Sequence, residues 1–207
     1  MNKENIISTL NELRKQEKKK FNQSVDLIIN LKSFDIKKES VNLFLELPYK
    51  IREVKICAFL NKKSNIVDSI IKQDFDNYKD KKKIKNLVKK YNFFISSAIL
   101  MPSIASTFGR YLGPVGKMPS PQLGILRTEN EQEVQETIKK VEKVVRIKSK
   151  EPSLKFCIGK EDMKDEEIAD NVIYAYNIIL NNLSKKKENI RNVMIKFSMT
   201  KPIKLNV

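Results

Sequence analysis

The chain has 207 residues, 41 Lys and Arg against 25 Asp and Glu, a formal charge of +16 and a hydrophobic share of 41 %. That apolar share suits a folded core, and the length allows one large domain or two small ones. The absence of histidine excludes imidazole bases, Ser-His-Asp triads and His-ligated metals, and Cys57 and Cys157 alone cannot complete a four-ligand zinc site.

Asn5–Lys18 carries Ile6, Leu10 and Leu13 at helical spacing, with Asn5 or Ser8 as a cap, and predicts a helix. Val25–Leu31 is rich in β-branched residues, and Val41–Leu47 alternates cleanly until Pro48 stops it, so both predict strands. The simple expectation pairs these two antiparallel through Asp35–Ser40. After Arg52 the pattern changes. Val54–Leu60 predicts an apolar strand, and Ile66–Phe75 and Lys81–Tyr91 have helical spacing. Phe93–Ser96 is a second apolar run, Pro102–Tyr111 predicts a short helix, and Glu129–Val145 a long amphipathic one. Such alternation suggests α/β units around a largely parallel sheet. Beyond Lys148–Pro152, Leu154–Ile158 predicts a strand ended by Gly159, Met163–Ser184 a helix, and Val193–Met199 a last strand. The two ends resemble each other in class. The economical architecture is therefore α/β in two domains: an α+β-like split domain from 1–52 and 148–207, and an α/β domain of 53–147 inserted between its halves.

Cys57 and Cys157 each lie in an apolar run and are expected to be buried, inert thiols. No apolar run reaches the roughly 18 residues of a membrane span, and the start lacks a leader's apolar stretch, so a cytoplasmic protein without a membrane partner is expected. A surplus of this size attracts polyanions, nucleic acid ahead of anionic membrane. It is spread, not blocked: the segments 1–52, 53–147 and 148–207 carry +4, +8 and +4. The lysine runs are Lys18–Lys20, Lys81–Lys83 and Lys185–Lys187. Any one of them is an ordinary solvated face; the three together favour contact with phosphate.

Leu112-Gly113-Pro114-Val115-Gly116-Lys117-Met118-Pro119-Ser120-Pro121 concentrates glycine and proline. It is not a phosphate loop: Gly116 follows Gly113 too closely, Met118 stands where a magnesium ligand is required, and prolines remove amide donors. What remains is a rigid surface loop, either a well-ordered turn or a face for a rigid partner such as RNA, with Gly113, Pro114, Gly116, Lys117 and Pro119 as its candidate contacts.

This run resembles the signature loop of the universal large-subunit ribosomal protein L-one family, in the wording of its archaeal and eukaryotic branch. The resemblance continues through Phe21–Leu27, Phe93–Ile95, Leu100–Pro102, Gly159–Met163 and Ile195–Pro202, in the family's order. It implies a split first domain with a Rossmann-like domain inserted. It further implies a ribosome-bound role with three RNA partners: stalk ribosomal RNA, exit-site transfer RNA and, in repression, the protein's own messenger RNA. By motif match, Lys20, Phe21 and Ser24 would line one side of the RNA surface and Ser198, Met199 and Thr200 the other, with Lys196 and Lys201 alongside. Phe21 would pack on ribose or base, hydroxyls would bond 2′-hydroxyls, and lysines would neutralise phosphates. Taken from residue pattern alone, Phe21 and Met199 are core residues. The family's tail pattern has Thr before the methionine and Gly after it. Here these are Ser198 and Thr200, and the lost glycine predicts altered local geometry. The 60–84 segment is shorter than the family pattern, which predicts a reduced element there. Hinges are expected at Pro48–Arg52 and Ile147–Pro152. No cofactor or small-molecule substrate is implied. The different-class alternatives are a general nucleic-acid binder or an enzyme on the inserted domain. An enzyme would use Lys117, Glu161 and Asp162, which no spacing makes a constellation.

Overall fold

In a computed structural model describing residues 2–16, 19–35, 41–51, 53–78, 80–149 and 151–206, the chain opens with helix α1 (Lys3–Arg14). The Asn2 side chain accepts from the Glu4 amide to cap it, and Ile6, Leu10 and Leu13 form its buried stripe. Then come β1 (Ser24–Leu31), β2 (Asn42–Glu46), β3 (Ile56–Leu60), β4 (Asp68–Ile71), a 3-10 segment (Lys72–Tyr78), α2 (Lys81–Lys90), β5 (Phe93–Ser97) and α3 (Met101–Val115). The rest is β6 (Ile125–Leu126), α4 (Glu131–Lys143), β7 (Val144–Lys148), β8 (Ser153–Lys160), α5 (Asp165–Asn182), β9 (Ile190–Phe197) and β10 (Ile203–Leu205). Lys18 and most of the expected Asp35–Ser40 connection lie outside the described residues.

The chain forms two compact units, Met1–Arg52 with Lys143–Val207, and Glu53–Glu142. The second crossing falls at 142/143, whereas the sequence reading places it at 147/148. The difference comes from Val144-Val145-Arg146-Ile147, whose β-branched residues leave the helix and pair as β7 with β2 inside the end-formed unit. The helix expected to run to Val145 stops at Lys143 for the same reason.

In the end-formed unit an antiparallel sheet has the order β10-β9-β1-β8, with β2-β7 as a separate ribbon. The expected β1–β2 pairing is absent. Alternation says which face of a strand is buried, not which strand lies beside it; β8 and β9, from the far end of the chain, bury the same face. Val25, Leu27 and Ile29, with Leu154, Phe156, Ile158, Val193, Ile195 and Phe197, form that face in one core with α1 and with Ile168, Val172, Ala175 and Ile179 of α5. Gly159 does not end β8 but continues it, and a Cβ there would meet the Met163 sulfur at 3.1 Å. Asn171, fully buried, accepts from the Tyr49 amide at 3.0 Å and donates to the Ile158 carbonyl at 3.0 Å. It thereby ties the chain approaching the first crossing to α5 and β8.

The inserted unit holds a parallel sheet of order β4-β3-β5-β6. All five residues of β3 are buried, as a covered strand requires. The helix expected over Ile66–Phe75 is instead β4 and the 3-10 segment, because Asp68–Ile71 pairs with β3. β4 follows β3 after the short connection 61–67, with no crossover helix, where parallel neighbours usually need about a dozen residues. Ile84, Leu87 and Val88 of α2 are buried as their spacing requires. Phe59 is the hub of this core, its ring centre 5.9, 5.6 and 5.0 Å from those of Phe75, Phe94 and Phe108. Cys57 is buried here, and burial pushes its thiol up to about 12. Cys157 departs from expectation: it is half-buried on the outward face of β8, its sulfur donating to the Gly159 carbonyl at 3.3 Å. Among the described residues no helix is long and apolar enough to cross a membrane.

Candidate nucleic-acid interface

β1 and β9 run antiparallel with Val25 opposite Phe197, so the segment leading into β1 meets the segment leaving β9 at one end of the sheet. The two are closely bonded. The Ser198 amide donates to the Ser24 carbonyl at 3.0 Å, the Ser24 amide to the Ser198 hydroxyl at 3.2 Å, and the Met199 amide to Gln23 Oε1 at 3.1 Å. With the backbone held this way, Phe21 and Met199 stand outward, 54 % and 65 % exposed. Neither is the core residue its local pattern suggests. Lys19, Lys20, Phe21, Asn22, Glu161 and Asp162 line a shallow depression of about 370 Å³ beside them, and Lys201 is exposed beyond the turn.

The Ser198 and Thr200 hydroxyls bond within the turn. Ser198 donates to the Ser24 carbonyl at 3.3 Å. Thr200 Oγ1 accepts from the Phe197 amide at 2.9 Å, and the Thr200 amide donates to the Phe197 carbonyl at 3.1 Å, closing the turn. Both hydroxyls therefore shape the surface from within. Thr200 is not among the positive-φ residues, so the side chain replacing the family's glycine meets no backbone strain. Thr200→Gly is expected to lower stability by about 1 kcal/mol, through the lost hydroxyl bond and a more flexible unfolded chain, read as a lower urea midpoint at constant m. An unchanged midpoint would show that the hydroxyl is not holding the turn.

Sequence reasoning passes over Gln23, which is 1 % exposed and central. Besides its bond to Met199, its amide donates to Glu161 Oε2 at 3.3 Å and its carbonyl accepts from the Glu161 amide at 2.9 Å. Arg14 of α1 secures the same turn, donating to the carbonyls of Glu161 at 2.7 Å and Met163 at 3.0 Å while pairing with Asp165 at 2.7 Å. Glu161 is thus a structural link and not half of an acid-base pair. Gln23 and Glu161 both lie inside motifs that carry the family resemblance, but a glutamine's burial leaves no mark in composition or periodicity. Lys196 lies inward of the turn, opposite Asp26. Burial raises the Asp26 carboxyl above its ordinary value, and the Lys196 charge partly offsets that.

The glycine-proline candidates are distributed differently from a single loop. Gly113 and Pro114 lie in the last turn of α3, and Gly116, at φ 70°, ends that helix with its amide on the Gly113 carbonyl at 2.9 Å. Lys117 donates to the carbonyls of Val88 at 2.7 Å and Tyr91 at 2.8 Å, satisfying orphan acceptors at the end of α2. Pro119 is buried. Lys117 and Pro119 thus serve the packing of the inserted unit, whereas Gly113, Pro114 and Gly116 are exposed; one end of the split unit's sheet gathers Lys20, Phe21, Ser24, Ser198, Met199, Thr200 and Lys201.

The profile of the ribosomal protein L1p/L10e family matches residues 13–201, which include both sides of this surface and the glycine-proline run. The large ribosomal subunit protein uL1 of Thermococcus kodakarensis is 31 % identical over 215 residues, covering 98 % of this chain and 97 % of its own. Its counterpart in Pyrococcus horikoshii is 31 % identical, with 95 % and 93 % covered, and that of Nanoarchaeum equitans 30 % identical, with 93 % and 95 % covered. These relatives are archaeal, in line with the branch that the loop and tail wording indicates. The chain belongs to the ribosomal protein L1p/L10e family, a family of structural large-subunit proteins and not of enzymes.

Proposed function

We propose that the end-formed unit anchors the chain on the stalk region of large-subunit ribosomal RNA through the Phe21–Met199 surface, and that the inserted unit follows exit-site transfer RNA as it leaves. The observation that carries the reading is the pair of exposed apolar side chains held by bonded backbone at a lysine-bearing end. Phe21 packs on a ribose or base, Met199 fills the space beside it, and Lys19, Lys20 and Lys201 neutralise phosphates. Domain motion uses the crossings at 52/53 and 142/143. Residues 147–148, which the sequence reading includes in a hinge, are paired in β7 and do not bend freely. Free protein represses its own messenger RNA where that RNA folds like the stalk site. The test is binding to a stalk fragment and to an unrelated structured RNA of equal length across a salt series. Stalk binding that persists at moderate salt while the control is lost supports the anchor; equal, steeply salt-dependent binding to both overturns it.

A further inference from the structure

The opposite end of the same sheet carries a second cationic site. Lys187, Arg191 and Lys204, from the 3-10 turn at Lys186–Asn189, from β9 and from β10, line a cavity of about 350 Å³ with Tyr176, Val193 and Leu205 among its apolar walls. No acidic side chain lines it, and none of the three cations makes an ion pair or a side-chain hydrogen bond among the described residues. The stretch 185–206 holds seven basic residues and a single acidic one, Glu188.

The loops that carry this charge are held rigidly. Ser33 (φ 51°) and Lys186 (φ 47°) are the non-glycine residues with positive φ among the described residues, and both lie here. Asn189, fully buried, fastens them together. Its Oδ1 accepts from the Lys185 amide at 2.7 Å, its Nδ2 donates to the Lys32 and Ser33 carbonyls at 3.4 and 3.3 Å, and its carbonyl accepts from the Lys32 amide at 2.7 Å. Left-handed backbone at side-chain-bearing residues persists only where the surroundings enforce it, and it gathers at sites with a task. A merely solvated lysine run needs no buried asparagine to fix its path.

We infer that this end is a second RNA site, a phosphodiester clamp of Lys187, Arg191 and Lys204 that grips backbone without reading sequence. The inference rests on the RNA-anchor reading and extends it. The length of β9 separates the clamp from Met199 by roughly 20 Å, so one folded RNA held at the first site continues to the second. RNA backbone fits better than a membrane, because the walls are recessed and, among the described residues, none of the exposed large apolar side chains lines the cavity.

The test compares the triple variant K187Q/R191Q/K204Q with K81Q/K82Q/K83Q, an equal charge loss on α2 of the inserted unit, after thermal melts confirm that both are folded. Wild type and variants are titrated with the stalk fragment and the structured control RNA across a salt series, and with vesicles containing anionic lipid. The expected result is a clamp variant that loses affinity for both RNAs at least about tenfold at 0.1 M salt. Its log-log salt slope becomes shallower by about 2 to 3, as loss of that many phosphate contacts requires, while the stalk-to-control ratio is kept. The α2 variant changes less than about threefold. Equal losses in both variants overturn the clamp in favour of bulk charge, no loss in the clamp variant overturns it outright, and a loss confined to vesicles assigns the site to lipid. Should wild type fail to prefer the stalk fragment, the anchor reading fails instead, and the difference in slope between the two variants still decides the clamp.

Discussion

Phe21→Ala is expected to weaken binding to the stalk RNA fragment by about ten- to hundredfold while leaving the melting temperature unchanged to within about a degree. Aromatic contact with a base is worth about 1 to 3 kcal/mol, and that is the term removed. The stability side is equally specific. A buried phenylalanine truncated to alanine costs about 3 to 5 kcal/mol, which would shift the melt by many degrees, but Phe21 is 54 % exposed and leaves no core cavity behind. The same substitution therefore separates two readings of one residue. A large fall in melting temperature with RNA affinity intact returns Phe21 to the core, and the interface loses its aromatic contact. Met199→Ala should act in the same direction with a smaller loss, since a thioether offers contact area without a ring face. In both variants the salt slope stays near that of wild type, because no phosphate-binding cation has been removed.

Much of this architecture is legible from periodicity. α1, α2 and α5 announce themselves by apolar residues three and four apart, and β3 and β5 by short apolar runs between helical stretches. What periodicity leaves open is pairing. β1 alternates as well for a β2 neighbour as for β8 and β9, and only the burial of one shared face, completed from the other end of the chain, decides between them. Boundaries fail where one residue set satisfies two patterns. Val144 and Val145 extend the apolar stripe of α4 and also begin β7, and Ile66 and Ile70 have helical spacing although Asp68–Ile71 becomes an edge strand. Tertiary pairing settled both cases.

The candidate interface is legible in a different way. Phe21 and Met199 have nothing in their neighbourhoods to distinguish them from core residues, and their shared placement came from the motifs, not from the residues' physics. Gln23 and Asn189 leave no signal in composition or periodicity. Each is a buried amide whose importance lies in what its oxygen and nitrogen reach across the fold, and sequence spacing does not encode that reach. Lys117 shows the converse. A lysine between glycines and prolines invites a ligand, yet its ammonium closes the end of α2.

Phe59→Ala is expected to produce the largest stability loss in the chain and to confine it to the inserted unit. Phe59 is fully buried at the centre of β3 and touches three aromatic rings, so its removal takes away about 3 to 5 kcal/mol of transfer and cavity terms. A unit of this size usually has about 5 to 15 kcal/mol in total, so a large part of its stability goes. The core around Phe59 shares no residue with the one built by β1, β8, β9, α1 and α5. Calorimetry should therefore show one transition lowered by at least about 12 °C and another left in place, with affinity for the stalk fragment kept. Phe59→Leu, which keeps much of the volume, should cost under half as much. If a single transition shifts as a whole and RNA binding falls with it, the two cores unfold as one. Anchoring and motion could then not be assigned to separate parts of the chain.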